Sequence, residues 1–258
     1  MTELAGYKTD NRIAYITINR PDKRNALNPE LVGALTDLFL RAGHDDEVKV
    51  IVLRAIGDVF SAGADLEYLQ KLQYISSQDN LKDTIAIKEL FYTIYTLPKL
   101  VIAQVEGHAI AGGCGLAAVC DIVFAVPEAK FGYTEVKIGF VPALVTCFLV
   151  RKLGEGRVRE LLLSGELITA EKASNYGLIN FLSEKSEISN HVKSYAERSA
   201  SGVSGQSIAL TKQLIHSAQN SKLEESLEEA IRLNVQTRSS ADCKKGIASF
   251  LDKKKIEW

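Results

Sequence analysis

The stretch Gly107–Pro142 reads GHAIAGGCGLAAVCDIVFAVPEAKFGYTEVKIGFVP, and the rest of the chain is organised around it. It follows an apolar, strand-like run, Leu100–Val105, and turns through Gly107 and Ala111-Gly112-Gly113. A small-residue segment, Cys114–Cys120, then reads as packing closely on a sheet, and Ile122–Val126 reads as a second strand ending at Pro127. A Gly-Gly pair at a strand-to-helix junction lets backbone approach a ligand with no Cβ in the way. The first turn of a helix leaves unpaired N–H groups with partial positive charge. Such donors can hold an anion, or a carbonyl oxygen whose negative charge grows during a reaction. Glycines of a tight turn would read the same way, and the chemical reading needs a partner. Glu135, on a short loop between apolar segments, is the candidate: by itself it reads as an exposed surface glutamate, and as a general acid or base where its surroundings tune its pKa.

Outward from this centre, the N-terminal part alternates strands and helices. Ile13–Asn19 alternates apolar and polar residues and reads as a strand after the turn residues Asn11 and Arg12. Arg20–Asn25 is a polar, Pro-marked loop, and Asn28 caps a helix that Pro29 and Glu30 open. Val48–Arg54 is a strand, Gly57–Gly63 a loop, and Tyr68–Leu97 a helix, a mobile polar loop around Ser76–Asn80, and a second helix. Strands separated by helices imply crossover units and a mostly parallel sheet. After Pro142 come helices at Val145–Leu153, Arg157–Leu163 and from Thr169, a short strand at Leu178–Leu182, and helices from Ile188 to Leu251. The division is a core at 1–190 and a helical region at 191–258.

Composition narrows the function. With 258 residues, 46% of them hydrophobic, the chain can bury a large core. Thirty-one Lys and Arg against 32 Asp and Glu argue against general nucleic-acid affinity. No apolar run reaches membrane-spanning length and no targeting pattern opens the chain, so a cytoplasmic protein is expected. Cys114, Cys120, Cys147 and Cys243 form no CxxC pair and read as buried free thiols. His44, His108, His191 and His216 have no ligand spacing, and no metal site is expected; His108 is placed to touch a ligand or to pack.

The central stretch resembles the signature of the enoyl-CoA hydratase/isomerase family, the crotonase superfamily, in Gly107–Asp121, in Ala129–Glu135, and in Gly139 and Pro142. The resemblance is collinear over nearly the whole chain. Asn19–Asn28 is similar to the family's first motif and Phe60–Leu66 to its second. Ser164–Ala173 with Gly177–Ile179 is similar to the segment after the active site, and Phe250–Lys254 to the C-terminal ending. The resemblance implies a crotonase-like α/β spiral of ββα units with a C-terminal helical region, assembled as a homotrimer or dimer of trimers. It implies a thioester carbonyl held by the N–H groups of Ala64 and Gly112, with Glu135 as acid or base. It implies that CoA, as part of an acyl-CoA substrate and with no separate cofactor, runs past Lys23, Arg24, Ala26, Ala62, Asp65 and Leu66, with Phe250 and Lys253 contributing from the C-terminus.

The sequence departs from the family pattern twice. Where two-carboxylate hydratases carry their other Glu stands Gly115, which makes this chain similar to single-glutamate members, both methylglutaconyl-CoA hydratase-like proteins and enoyl-CoA isomerases, and implies an acyl-CoA hydratase or an enoyl-CoA isomerase. Gly115→Glu supplies the missing carboxylate and, where geometry leaves room for it, is expected to raise hydration relative to isomerisation. The common Gly-Gly-Thr-Gln after Pro142 is replaced by Ala143–Phe148, which implies a different acyl pocket. Tyr133 and Thr134 flank Glu135 as candidates to orient water or substrate, with packing the alternative for Tyr133. Beside the acyl-CoA enzyme stand a non-catalytic CoA binder and an RNA-binding protein, the latter supported only by Lys244-Lys245 and Lys253–Lys255. A serine protease of similar spiral fold has no Gly-x-Ser-x-Gly element to support it.

Overall fold

The structure is a computed structural model and describes residues 3–256 and 258. It opens with a hairpin in which β1 (Ala5–Asp10) pairs antiparallel with β2 (Ile13–Ile18). Asp10 lies opposite Ile13, so Asn11-Arg12 forms a two-residue turn with φ of 48° and 65°. Positive φ at both positions matches the twist of such hairpins. Next comes α1 (Pro29–His44), where the Asn28 side chain accepts the Leu31 N–H at 3.0 Å and Pro29 occupies the first turn. Its apolar stripe, Leu31, Val32, Leu35, Phe39 and Ala42, is buried.

The spiral then repeats. β3 (Val50–Ala55) and β4 (Val59–Ser61) precede α2 (Leu66–Leu72) and α3 (Ser77–Thr96). β5 (Leu100–Val105) and β6 (His108–Ile110) precede α4 (Gly112–Ala118). β7 (Ile122–Ala125) and β8 (Lys130–Gly132) precede a 3₁₀ turn at Glu135–Ile138 and α5 (Ala143–Leu153). In each repeat the first strand joins a large sheet and the second a small one. The chain continues through α6 (Glu155–Ser164), β9 (Ile168–Thr169), α7 (Ala170–Tyr176) and β10 (Phe181–Leu182). The large sheet runs β1-β2-β3-β5-β7-β10, parallel from β2 onward, and the small sheet runs β4-β6-β8-β9. Val50, Ile51, Val52 and Leu53 are all fully buried, as a parallel strand covered on both faces requires.

Four helices follow: α8 (Ile188–Gly202), α9 (Gly205–Ala218), α10 (Leu223–Ser239) and α11 (Ala241–Leu251). α8 packs on β2, β3, β5 and β7 with Ile188, Val192, Ala196 and Ala200 buried. The division expected at 190/191 therefore falls inside a helix that covers the core sheet. α9 is tied down by Lys212, whose ammonium pairs with Asp121 at 2.6 Å and donates to the Lys99 carbonyl at 3.0 Å. α11 is anchored where β2 and β3 begin: Ser204 bonds Asp242, Arg12 donates to the Trp258 carbonyl, and the Trp258 N–H donates to Ser201.

Other expectations change as well. Residues 77–80 are helical, because Ser76 accepts the Asp79 N–H and caps α3; the link between α2 and α3 is Gln73–Ser76. β4, β6, β8 and β9 lie in stretches read as loops or turns, and of Leu178–Leu182 only Phe181 and Leu182 pair. Strands of two or three residues carry too few positions to show alternation. Cys114 and Cys120 are buried as expected, but Cys147 is exposed and Cys243 half-buried.

The loop from β2 to α1 is held by one side chain. Asn25 is fully buried, donates to the carbonyls of Ile56 at 2.8 Å and Val59 at 2.7 Å, and accepts the Arg20 N–H at 2.8 Å. Its φ is 54°, a left-handed conformation that Asn tolerates better than most residues. Asn25→Ala leaves these groups without partners. The variant is expected to lose roughly 2–4 kcal/mol in urea melts, and a loss below about 0.5 kcal/mol would contradict this role.

Candidate active site

Two backbone segments meet here with no room between them. The segment Arg24–Leu27 pairs with Ala62–Asp65: Ala62 N–H donates to Arg24, Leu27 N–H to Gly63, and Asp65 N–H to Leu27, at 2.7 to 3.0 Å. Gly63 has φ of +88°, and a Cβ there would lie 2.8 Å from Ala111 Cβ and 2.9 Å from the Ile110 carbonyl oxygen. A Cβ at Gly113 would lie 2.4 Å from the Ser61 carbonyl oxygen. Gly63 and Gly113 are therefore what lets the loop after β4 close on the start of α4. Ala111 turns the chain into α4 with φ 51° and ψ −125°, strained for a residue with a Cβ and of the kind found at functional sites. Among the described residues, the N–H groups of Ala64 and Gly112 have no hydrogen-bond partner. Two free donors thus lie on segments in contact, one of them on the first turn of a helix.

Glu135 opens the 3₁₀ turn that follows β8. Its Oε2 is buried and has no hydrogen-bond partner among the described residues. Burial raises the pKa of its carboxyl above the usual carboxylate range, opposed only by a backbone N–H. Its charge acts on the Cys114 thiol in the first turn of α4 and on the Tyr133 hydroxyl. Burial pushes the Cys114 thiol up to about 12, so it remains protonated and is no nucleophile. An unpaired buried carboxylate is costly, and such groups cluster where proton transfer takes place.

The remaining expected residues divide. Ala26 and Ala62 lie on the paired segments beside Ala64. Asp65 is buried and occupied: it pairs with Arg20 at 2.7 Å and caps α2 through the N–H groups of Glu67 and Tyr68. Burial pushes its pKa up, but Arg20 and the two N–H groups together hold it below the usual value. Lys23 is exposed and paired with Glu67 at 2.7 Å, while Arg24 is exposed with no side-chain partner among the described residues. Leu66 is exposed at the start of α2. Phe250 lies exposed near the end of α11 and Lys253 just beyond it, with φ of 56°. His108 is exposed, and its Nδ1 accepts the Lys130 N–H at 3.1 Å. Asn25, Ser61 and Ala111 shape the site without having been singled out, and only the Asn after a polar turn carries a sequence signal. No cluster of metal-binding side chains occurs among the described residues.

Residues 8–258 match the enoyl-CoA hydratase/isomerase family. The chain belongs to this family. It is 38% identical over 242 residues, 94% of this chain and 95% of the other, to a Thermus thermophilus protein carrying a provisional enoyl-CoA hydratase name. It is 32% identical over 250 residues, 96% and 94% of the two chains, to the short-chain-enoyl-CoA hydratase of Clostridium acetobutylicum. The crystal structure of an enoyl-CoA hydratase from Mycobacterium smegmatis superposes with a TM-score of 0.93 at 26% identity, covering 99% and 98% of the chains. The expected crotonase fold is thus present.

Within this enoyl-CoA hydratase/isomerase fold, the position of the second carboxylate is filled. A Cβ on Gly115 would lie 2.4 Å from Val145 Cγ1 and 3.2 Å from the Phe91 ring. Val145 is short and buried, so it cannot swing aside, and the expected restoration by Gly115→Glu has no room. By contrast, a Cβ on Gly112 meets only Leu27 Cδ1 at 3.5 Å and Gly63 Cα at 3.9 Å. Gly113→Ala is therefore expected to lower the thermal midpoint far more than Gly112→Ala, by several degrees against one or two. Equal midpoints in paired melts would remove the backbone clash from this account.

Proposed function

We propose that the protein transforms an enoyl-CoA thioester through an enolate, with the thioester oxygen held by the N–H groups of Ala64 and Gly112 and protons carried by Glu135. The observation that carries this reading is the buried, unpartnered Oε2 of Glu135 at the start of the 3₁₀ turn that follows β8. Preorganised donors favour the enolate, whose charge exceeds that of the ground-state carbonyl. A desolvated carboxylate with a raised pKa exchanges protons near neutral pH more readily than an ordinary one. With Gly115 walled in by Val145 and Phe91, one carboxylate does the work that two share elsewhere. The names of the hydratase relatives favour addition of water to a 2-enoyl thioester, and movement of a proton between Cα and Cγ uses the same machinery. CoA phosphates would meet Arg24 and, in competition with Glu67, Lys23.

Self-association fits the surface. Leu223, Leu227, Ile231 and Val235 recur every fourth residue along α10 and are exposed, as are Ile247, Phe250 and Leu251 on α11. We take this apolar face as the contact of a homotrimer, which could bring Phe250 and Lys253 to a neighbour's site. Sedimentation at micromolar concentration is expected to show three chains or a multiple, and a monomer would overturn the assignment.

Glu135→Gln tests the chemistry and its physical basis together. Turnover of 2-enoyl and 3-enoyl thioesters is expected to fall ~10²–10⁴-fold with CoA affinity kept. Because burial raises the pKa in the folded state, ionised Glu135 opposes folding. That penalty is absent below the unfolded-state pKa, grows as pH rises, and is complete above the folded-state pKa. The Gln variant is therefore expected to melt higher than wild type at pH 8 and near it at pH 4. Undiminished turnover would assign the proton transfer to another group.

A further inference from the structure

The turn that carries Glu135 does not seat itself. Glu135–Ile138 form one 3₁₀ turn in which no residue is buried, and Ile138, Phe140 and Val141 stand exposed. Its hydrogen bonds run within the segment: Lys137 N–H donates to Thr134, Gly139 N–H to Val136 and Phe140 N–H to Glu135, at 3.0 to 3.3 Å. Bonds of this kind fix the shape of the turn but not its place. The corner between α6 and β9 lies against it. β9 pairs antiparallel with β8, Ile168 opposite Phe131 and Thr169 opposite Lys130, which lays the corner along the chain leading to Glu135. Before Glu135, a Cβ on Gly132 would lie 2.7 Å from the Glu166 carbonyl oxygen and 2.8 Å from Leu167 Cδ2. After it, a Cβ on Gly165 would lie 3.0 Å from Val136 Cγ2 and 3.1 Å from Lys137 Cγ and Cε. The Lys137 ammonium also pairs with Glu166 at 2.8 Å. The corner therefore grips the chain on both sides of Glu135, at Gly132 and at Val136-Lys137.

We infer that Gly165 is a positioning residue, which sets where the Glu135 carboxylate stands through the contact of the corner with Val136 and Lys137. The inference rests on Glu135 acting as proposed above. Gly165 ends α6 with φ of 65°, a left-handed conformation that glycine takes without strain. Ending a helix does not require the fit against the turn: Gly177 ends α7 with φ of 84°, and a Cβ there would meet nothing within 4 Å. The two glycines share one backbone role and differ in one contact. A methyl at position 165 must push Val136 by a few tenths of an ångström, because a β-branched side chain is stiff while the Lys137 stem can give way. Val136 is joined by a peptide bond to Glu135, so the carboxylate moves with it. Catalysis is sensitive to such shifts, since a misplacement of ~1 Å costs about 10²-fold.

Gly165→Ala and Gly177→Ala are compared for turnover of four-carbon 2-enoyl and 3-enoyl CoA thioesters. Both variants carry the left-handed strain, and both are expected to melt about 2–4 °C below wild type. Only Gly165→Ala is expected to lose kcat, by about 5–30-fold, with KM within about twofold of wild type. Adding Val136→Ala to Gly165→Ala removes the methyl that is pushed, and is expected to bring kcat back to within about threefold of wild type. An unchanged kcat in Gly165→Ala overturns the inference. So does an equal loss in Gly177→Ala, a loss confined to KM, or a double variant no better than the single one. Glu135→Gln keeps the two levels apart. If it retains turnover, or if wild type turns over neither thioester, the proposed function fails and the inference with it. If it is inactive while Gly165→Ala keeps full kcat, the inference alone fails.

Discussion

The site depends on a close approach of backbone to backbone. The loop after β4 and the start of α4 touch at Gly63 and Ala111 and at Ser61 and Gly113, where added side-chain atoms would fall inside contact distance. Leu27 ties the first of these segments to the loop after β2, and Asn25 ties that loop to the chain between β3 and β4. Three successive turns of the spiral are thereby locked together at one place. Among the described residues the N–H groups of Ala64 and Gly112 are left without partners, while the neighbouring Asp65 and Ala111 donate to the carbonyls of Leu27 and Gly132.

The helix that carries one of these two donors needs support from outside itself. α4 is only seven residues long and would be marginal alone. It is held at both ends. Lys152 reaches its C-terminal side and donates to the carbonyls of Ala118 at 2.8 Å and Cys120 at 3.0 Å, where a cation complements the helix dipole. Burial lowers the Lys152 pKa, a cost accepted for satisfying these carbonyls. Directly after it, Asp121 accepts the Val101 N–H at 2.8 Å and pairs with Lys212. The Asp of the central motif is thus a structural clamp between sheet, α4 and α9.

Much of this was legible in the sequence, and what was not has physical reasons. Long periodic elements declared themselves: α1 by its Asn28 cap and apolar stripe, β3 by an unbroken apolar run, and α8 to α11 by length. The small sheet was invisible because its strands are two or three residues long and are defined by their partners. Ser76–Asn80 was misread because polarity was taken for mobility, when a Ser followed by polar residues is also how a helix begins. Within the site, the Gly-Gly turn and Glu135 stood out as residues, and the resemblance to the family gave Gly112 and Glu135 their expected roles. The role of Asp65 could not, since its partner Arg20 is distant in sequence and the pairing appears only on folding. The unpartnered hydroxyl of Tyr133 is likewise a property of packing.

Folding also shows that two departures from the family pattern are one. Gly115 and the run Ala143–Phe148 are nearly thirty residues apart and read as separate changes. In space Val145 packs onto Gly115. Phe91, which meets Gly115 from another side, is backed edge-on by Phe148 at 6.3 Å between ring centroids, and Tyr95 stacks edge-on against Phe148 at 5.2 Å. Protein interiors are packed to near crystal density, so a position without a side chain is filled by its neighbours. The space beside Gly115 is accordingly occupied by a valine methyl and an aromatic edge. Gly115 and Val145 form a coupled pair in which neither can change alone without a clash or a cavity. The side chains at positions 115 and 145 are therefore decided together, by one shared volume in the folded chain and not by their places in the sequence.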